Sequence, residues 1–485
     1  MISLDCVNAT LLDQWTATGR LPNLARLRSS GTVARVTCNS VSIEADWHTL
    51  YTGRQPSEHG HCSYDEIIPG TYRSRMTTAP RVMCKPFWET LSQEGAQVIV
   101  LNPVHAAPAP IPNGVVITDW LIHDAGHYND PASYPPELVA NLLARYPADP
   151  VNPNDWGHSA NADPKRLLAA KIETLRRKTE VLGELLRSRA WDVCYVGFDE
   201  GHEMSHLFWH LHDPSHPRHR AGQSDADPLA AMLMEMDQAV GRIIADIDGD
   251  CAVIVVSIGG VAANYHWSHL VDRILQRIDN PGDRSGRAYK VFRTLWNQVP
   301  HPVQKLLFGL RHQFREQLLE RNRRKRRAFA LPLNERAGAV RINLAGREPN
   351  GLVAPGAEYA AVCRDLSETF ESLVCVRTGA PLVRAVVKTR DVLDGPYLDL
   401  LPDLMIEWNV DQPIMAATSP RTGEITRDYT DARTGHHIND GFLLISGAGA
   451  EPRQPTGTVD VADIAKAVVA HVRSPQVPFG ASVFV

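Results

Sequence analysis

Short apolar runs alternate with amphipathic stretches through most of the chain. Ile2 to Leu4, Gln97 to Leu101, Val115 to Thr118, Val193 to Phe198, Ala252 to Ser257 and Phe442 to Ser446 are rich in Val, Ile, Leu and Phe. Runs of that length and composition predict strands buried on both faces. Between them, Asn23 to Ser30, Pro86 to Glu94, Pro164 to Arg189 and Asp227 to Ile247 place apolar residues at helical spacing. Strand and helix in alternation predict an α/β fold: a doubly wound, mainly parallel sheet with helices on both faces. Residues 280–327 break the rhythm, being basic and helical with prolines at Pro300 and Pro302. They are expected to form a helical insertion or cap within one domain spanning 1–485. Ala328 to Glu348 then alternates like a hairpin, and Gly351 to Gly356 turns into another helix.

Composition narrows the function classes. A chain of 485 residues with 44% apolar content can bury a large core, and a net charge of −5 argues against general nucleic-acid affinity. Locally, Arg321, Arg323, Arg324, Lys325, Arg326 and Arg327 form a basic run. It reads as a solvated helix end, with a grip on phosphate or a membrane surface as the alternative. Eight cysteines occur singly, with no CxxC pair, which suits a reducing compartment and a cytoplasmic location. The opening residues MISLDCV already read as a strand entering its loop, so a secretory signal is not expected. No apolar stretch reaches the roughly 18 residues a membrane span needs.

Candidate chemistry concentrates in GFDEGHEMSHLFWHLHDP, residues 197–214. His202 and His206 are one helical turn apart just after an apolar strand, so both imidazoles fall on one helix face at the carboxyl edge of a sheet. Two nitrogens presented together suit a zinc-like ion. The competing reading is a helix that is merely histidine-rich, since His210, His212, His216 and His219 follow.

Several further segments share an order. A strand ends in Asp5; GRLPNLARLRSSGTVARV follows; then comes TLYTGRQPSEHG, residues 49–60. FWHLHDP, the strand ending at Ser257, RINLAGREPNG, LPDLMIEW and RTGHH at 433–437 continue the series. In this order and spacing the chain resembles the alkaline phosphatase superfamily, in particular its type I phosphodiesterase/nucleotide pyrophosphatase branch. The resemblance implies an alkaline-phosphatase-like fold and a metal-assisted reaction at a phosphate or related ester. It also implies one ion on the columns that here hold His202, His206 and His437, with His436 beside them and a histidine at 202 where the family has aspartate. Three imidazoles favour zinc (Zn2+) over magnesium and leave a fourth position open. The second ion of the family would use Asp5, the nucleophile and an Asp-His pair, but Ile258 and Gly259 replace that pair. The second site therefore reads as degenerate, and one ion is expected unless His266 or His269 reaches back.

Counting back from Thr52-Gly53, the nucleophile column falls on Ile43, and a shift of one residue puts Ser42 there. Ser40 and Thr37 lie further off. Glu44, Asp46 and His48 are the nearby base candidates, or else solvate the loop. Asp5 is a base or weak ligand. Asp119 and His123, an i,i+4 pair, and Arg73, Arg75 and Arg341 are weaker candidates to face an anionic substrate, surface placement and structural ion pairs being the alternatives. The resulting expectation is a single-metal hydrolase or group transferase acting on a small phosphate, sulfate or related ester, with nucleotides among the candidate substrates and specialised metabolism among the candidate settings. Two other readings stay open: a non-catalytic binding protein on the same fold, and a two-metal phosphodiesterase.

Overall fold

All six apolar runs predicted as strands lie in one nine-stranded sheet. In chain order its strands are β1 (Ile2–Leu4), β2 (Thr32–Thr37), β3 (Val98–Leu101), β4 (Gly114–Thr118), β5 (Ala132–Tyr134), β6 (Val193–Phe198), β7 (Ala252–Ser257), β8 (Gly441–Gly447) and β9 (Thr458–Asp460). The computed structural model describes residues 1–38, 42–76, 82–122, 130–151, 162–220, 222, 227–247, 250–280, 317, 319–331, 336–427, 433–448 and 457–475. Of the expected insertion at 280–327, residues 281–316 and 318 lie outside the described set.

The spatial order is β9-β2-β8-β7-β1-β6-β3-β4-β5. Five pairings are parallel and three antiparallel, the latter made by β8 and β5. The sheet is thus mixed and mainly parallel, with an alkaline-phosphatase-like α/β architecture. β8 runs against both β2 and β7, so the carboxyl ends of β1, β2, β3, β4, β6 and β7 and the start of β8 share one edge.

Side chains on both faces are buried, which explains why the strands read as continuous apolar runs rather than alternating ones. Val36, Val98, Val100, Tyr195, Val256 and Leu443 pack with Trp47, Leu50, Trp88 and Ile464 in one cluster. The alternate residues Ile99, Leu101, Val196, Phe198, Val255 and Leu444 are equally buried. Four helices matter below: α1 (Ile43–Thr52), α2 (Pro164–Ser188), α3 (Glu200–His212) and α4 (Pro228–Ala245).

Contact density divides the chain into two units. The large sheet belongs to the first, Met1–His61, Thr78–Asn264 and Thr430–Val485. The second, Cys62–Thr77 and Tyr265–Tyr429, is built on a four-stranded antiparallel sheet in the order Ala328–Ala330, Ala337–Ile342, Leu404–Trp408, Val383–Lys388. The predicted hairpin is its first strand pair, and the helix after Gly356 is Ala357–Glu371. Within this unit four arginines of the basic run have partners. Arg324 pairs with Glu320, Arg326 with Asp272 and Asp279, and Arg327 with Glu358, while buried Arg323 donates to the Tyr72 carbonyl. No helix among the described residues is long and apolar enough to cross a membrane.

Candidate metal centre

β6 delivers its last residue, Phe198, beside Leu4 of β1, so the turn into α3 starts next to Asp5 and Cys6. Residues Glu200 to Trp209 of α3 are all buried. Helical spacing sets His202 and His206 side by side, with ring centroids 4.6 Å apart and the ring planes inclined at 58°. A two-stranded ribbon, Gly260–Ala263 against Gly435–Ile438, leads back into β8 and carries His436 and His437. Gly435 is where this ribbon meets α3: a Cβ there would sit 2.2 Å from the Ser205 carbonyl oxygen, so only glycine permits the approach.

The hydrogen bonds fix how the rings face. His206 Nδ1 lies 2.8 Å from the Gly435 carbonyl oxygen, which only accepts, so Nδ1 carries the proton and Nε2 the lone pair. That Nε2 is 3.1 Å from His437 Nε2. Two nitrogens bound to one tetrahedral zinc at about 2.05 Å stand roughly 3.3 Å apart, so the pair has the right bite. Asp5 Oδ2 is 2.7 Å from His202 Nδ1, the carboxylate partner that typically orients an imidazole ligand. Burial first, then Arg433 and the neighbouring imidazoles, hold His206 well below the ordinary histidine range, so it is a neutral donor near pH 7.

Four residues bring one ligand atom each to within 4.8 Å of one another: Cys6, His202, His206 and His437, all buried. The three histidines were expected on the resemblance; Cys6 was not. Its sulfur is 3.2 Å from His202 Nδ1 and 3.7 Å from His437 Nδ1. The signal was a thiol directly after the strand-end Asp5. His436 is outside the group, its Nδ1 accepting the His437 backbone N–H at 2.8 Å. Asp5 is also outside it and touches the set twice, through Oδ2 at His202 Nδ1 and through Oδ1, which accepts from the Cys6 thiol at 3.3 Å.

Behind α3 lies a charged layer. Lys178 Nζ is 2.5 Å from Asp199 Oδ1 and 2.7 Å from Glu200 Oε1, and Lys171 pairs with Glu203, every one of these side chains being buried. Burial opposes the charge on both lysines, yet the carboxylates hold both above the ordinary lysine range.

Ser42 caps α1. It accepts the Glu44 backbone N–H and donates its hydroxyl to Glu44 Oε2, each at 3.2 Å. Glu44, Asp46 and His48 lie buried on α1, which corrects the picture of a solvated loop. Ile258 packs in the apolar core where the family pattern carries a ligand, and His266 Nδ1 accepts from the Ser268 N–H. Asp119 is buried in a left-handed conformation (φ 57°), not at the surface, because the chain turns sharply as it leaves β4. His123 and Ser40 lie outside the described residues. Arg73 pairs with Glu320, and Arg341 with Glu348, as structural ion pairs.

A family model described as type I phosphodiesterase / nucleotide pyrophosphatase matches residues 1–430. No curated protein sequence matches the chain. Among solved structures, phosphonoacetate hydrolase from Sinorhizobium meliloti 1021 in complex with phosphonoformate is similar over 97% of this chain and 94% of that one, at 13% identity and a TM-score of 0.50. Its complex with phosphonoacetate is similar over 97% and 95%, again at 13% identity and 0.50. Murine ectonucleotide pyrophosphatase / phosphodiesterase 5 covers 97% and 94% at 10% identity and 0.48. The two likenesses at 0.50 are likenesses of fold.

Proposed function

The chain belongs to the type I phosphodiesterase/nucleotide pyrophosphatase family, and from that premise we propose that it cleaves or transfers a phosphate, sulfate or related ester of a small anionic molecule with the help of one divalent ion. The observation that carries the reading is the convergence of His202, His206 and His437 in one buried group. Nitrogen donors favour zinc among the candidate ions. When bound, such an ion supplies Lewis acidity at an ester oxygen.

The chain's own groups prepare that chemistry. Asp5 takes the His202 Nδ1 proton into a 2.7 Å contact, and the Gly435 carbonyl does the same for His206, so each ring keeps an Nε2 lone pair for the ion. Ser42 is the nucleophile candidate. Its hydroxyl already donates to Glu44 Oε2, which would take the proton as the serine oxygen bonds to the phosphorus or sulfur centre, the ester bond breaks and the leaving alkoxide is protonated by solvent. Ile258 offers no donor atom, which supports one ion rather than two.

The test is turnover of aryl phosphate monoesters, phosphodiesters and sulfates by the zinc-loaded protein. The reading expects turnover of at least one ester, lost in His437→Ala and reduced by at least about a hundredfold in Ser42→Ala. Turnover unchanged in Ser42→Ala removes the serine from the role. Zinc-bound protein inert toward every ester favours the non-catalytic reading, to which the core position of Ile258 also lends support.

A further inference from the structure

We infer that Cys6 is a fourth ligand supplied by the chain, closing the coordination shell that three histidines alone would leave open, and that substrate gains its place by displacing the thiolate. The inference rests on the reading that His202, His206 and His437 hold an ion. Its own evidence is the backbone after β1. Consecutive residues of an extended strand point to opposite faces. Asp5 and Cys6, in the turn that follows Leu4, depart from that alternation: Asp5 Oδ2 and Cys6 Sγ approach the same His202 Nδ1, at 2.7 and 3.2 Å, and the thiol also donates to Asp5 Oδ1 at 3.3 Å.

The break is made by Cys6 itself, whose φ is 66°. A non-glycine residue in the left-handed region costs on the order of 1 kcal/mol or more, and persists where the surroundings hold it there. Here the strained turn swings the sulfur onto the imidazole set instead of away from it. The same sulfur reaches His437 Nδ1, so it bridges α3 and the 435–438 ribbon, the two elements that carry the histidines.

Three imidazoles and one thiolate make a complete tetrahedral zinc shell, with zinc–sulfur near 2.3 Å and zinc–nitrogen near 2.0 Å. On ion binding the thiol proton leaves to solvent and the sulfur takes its place on the metal. Were an anionic ester oxygen to take the sulfur's position, the released thiolate would take its proton back from solvent. The soft donor also sharpens the preference for zinc or cobalt over magnesium and manganese.

The experiment loads the full-length protein with cobalt and records its absorption spectrum. Wild type is expected to bind about one cobalt and to show the near-ultraviolet thiolate-to-cobalt charge-transfer band. Cys6→Ser is expected to keep the ion with affinity weakened at least about tenfold, to lose that band, and to show perturbed visible bands at about tenfold lower inorganic phosphate than wild type. X-ray absorption of the zinc-loaded wild type, which needs no variant to fold, should fit one sulfur and three nitrogens. A cobalt spectrum without the charge-transfer band, or a zinc shell without sulfur, overturns the inference while leaving the three-histidine ion standing. Failure of wild type to bind either ion overturns both.

Discussion

His206 is the residue on which the centre turns: its Nδ1 is tied to Gly435 and its Nε2 faces His437. His206→Ala should remove the bound zinc while leaving a folded chain, checked by metal analysis beside circular dichroism. A second residue-scale expectation concerns acid. Burial pushes His59 down to about 3 and His48 well below the ordinary value, with neighbouring imidazoles adding to both shifts. The unfolded chain therefore takes up these protons first as pH falls. Stability from this source is complete above about pH 6.5 and declines toward pH 3, by up to about 1.4 kcal/mol per pH unit for each histidine held neutral. Urea denaturation of the metal-free protein at pH 7, 6 and 5 checks this; His59→Gln should flatten the dependence, and a stability independent of pH would contradict it. His202, His206 and His437 were legible in the sequence through helical spacing and motif order. Cys6 was not, because its position depends on a left-handed φ that no local pattern announces.

At the scale of elements, α3 is held from behind by lysines of α2. Removing one partner from a buried ion pair strands the other charge, at about 3–5 kcal/mol. Lys178→Met should cost an amount of that order in urea denaturation, because it takes the ammonium away from Asp199 Oδ1 and Glu200 Oε1 beside the histidine helix. It should also weaken zinc binding, because His202 and His206 ride on that helix. Gly435→Ala should act from the other side. Its methyl group would collide with the Ser205 carbonyl and push the ribbon bearing His437 off α3, weakening zinc measured by competition with a chromophoric chelator; unchanged affinity would show that the close approach is not needed. Strand and helix bounds were readable within a few residues, as with β1, β6 and α2, because burial on both faces and long amphipathic periods leave strong signatures. Surface placement of Asp119 was the wrong alternative: the residue is buried, where the chain leaves β4 through left-handed residues at 119 and 121 that no sequence spacing announces.

For the whole molecule, the mainly parallel sheet sets where chemistry happens. The ends of β1 and β6 and the ribbon before β8 meet at one edge, the usual location of sites in open α/β sheets. The second unit was harder to read in advance, since its antiparallel strands are short and separated by loops. Its basic run reads by composition as a solvated helix end, with a phosphate or membrane grip as the alternative, and four of its arginines are engaged in ion pairs or with a carbonyl. The central claim remains that three imidazoles from distant parts of the chain share one cation. Anomalous diffraction at the zinc edge from crystals of the zinc-loaded protein tests it most directly. The account predicts a single strong peak about 2.0 Å from a ring nitrogen of each of His202, His206 and His437. A crystal with no peak there, or with the zinc elsewhere in the chain, would contradict it.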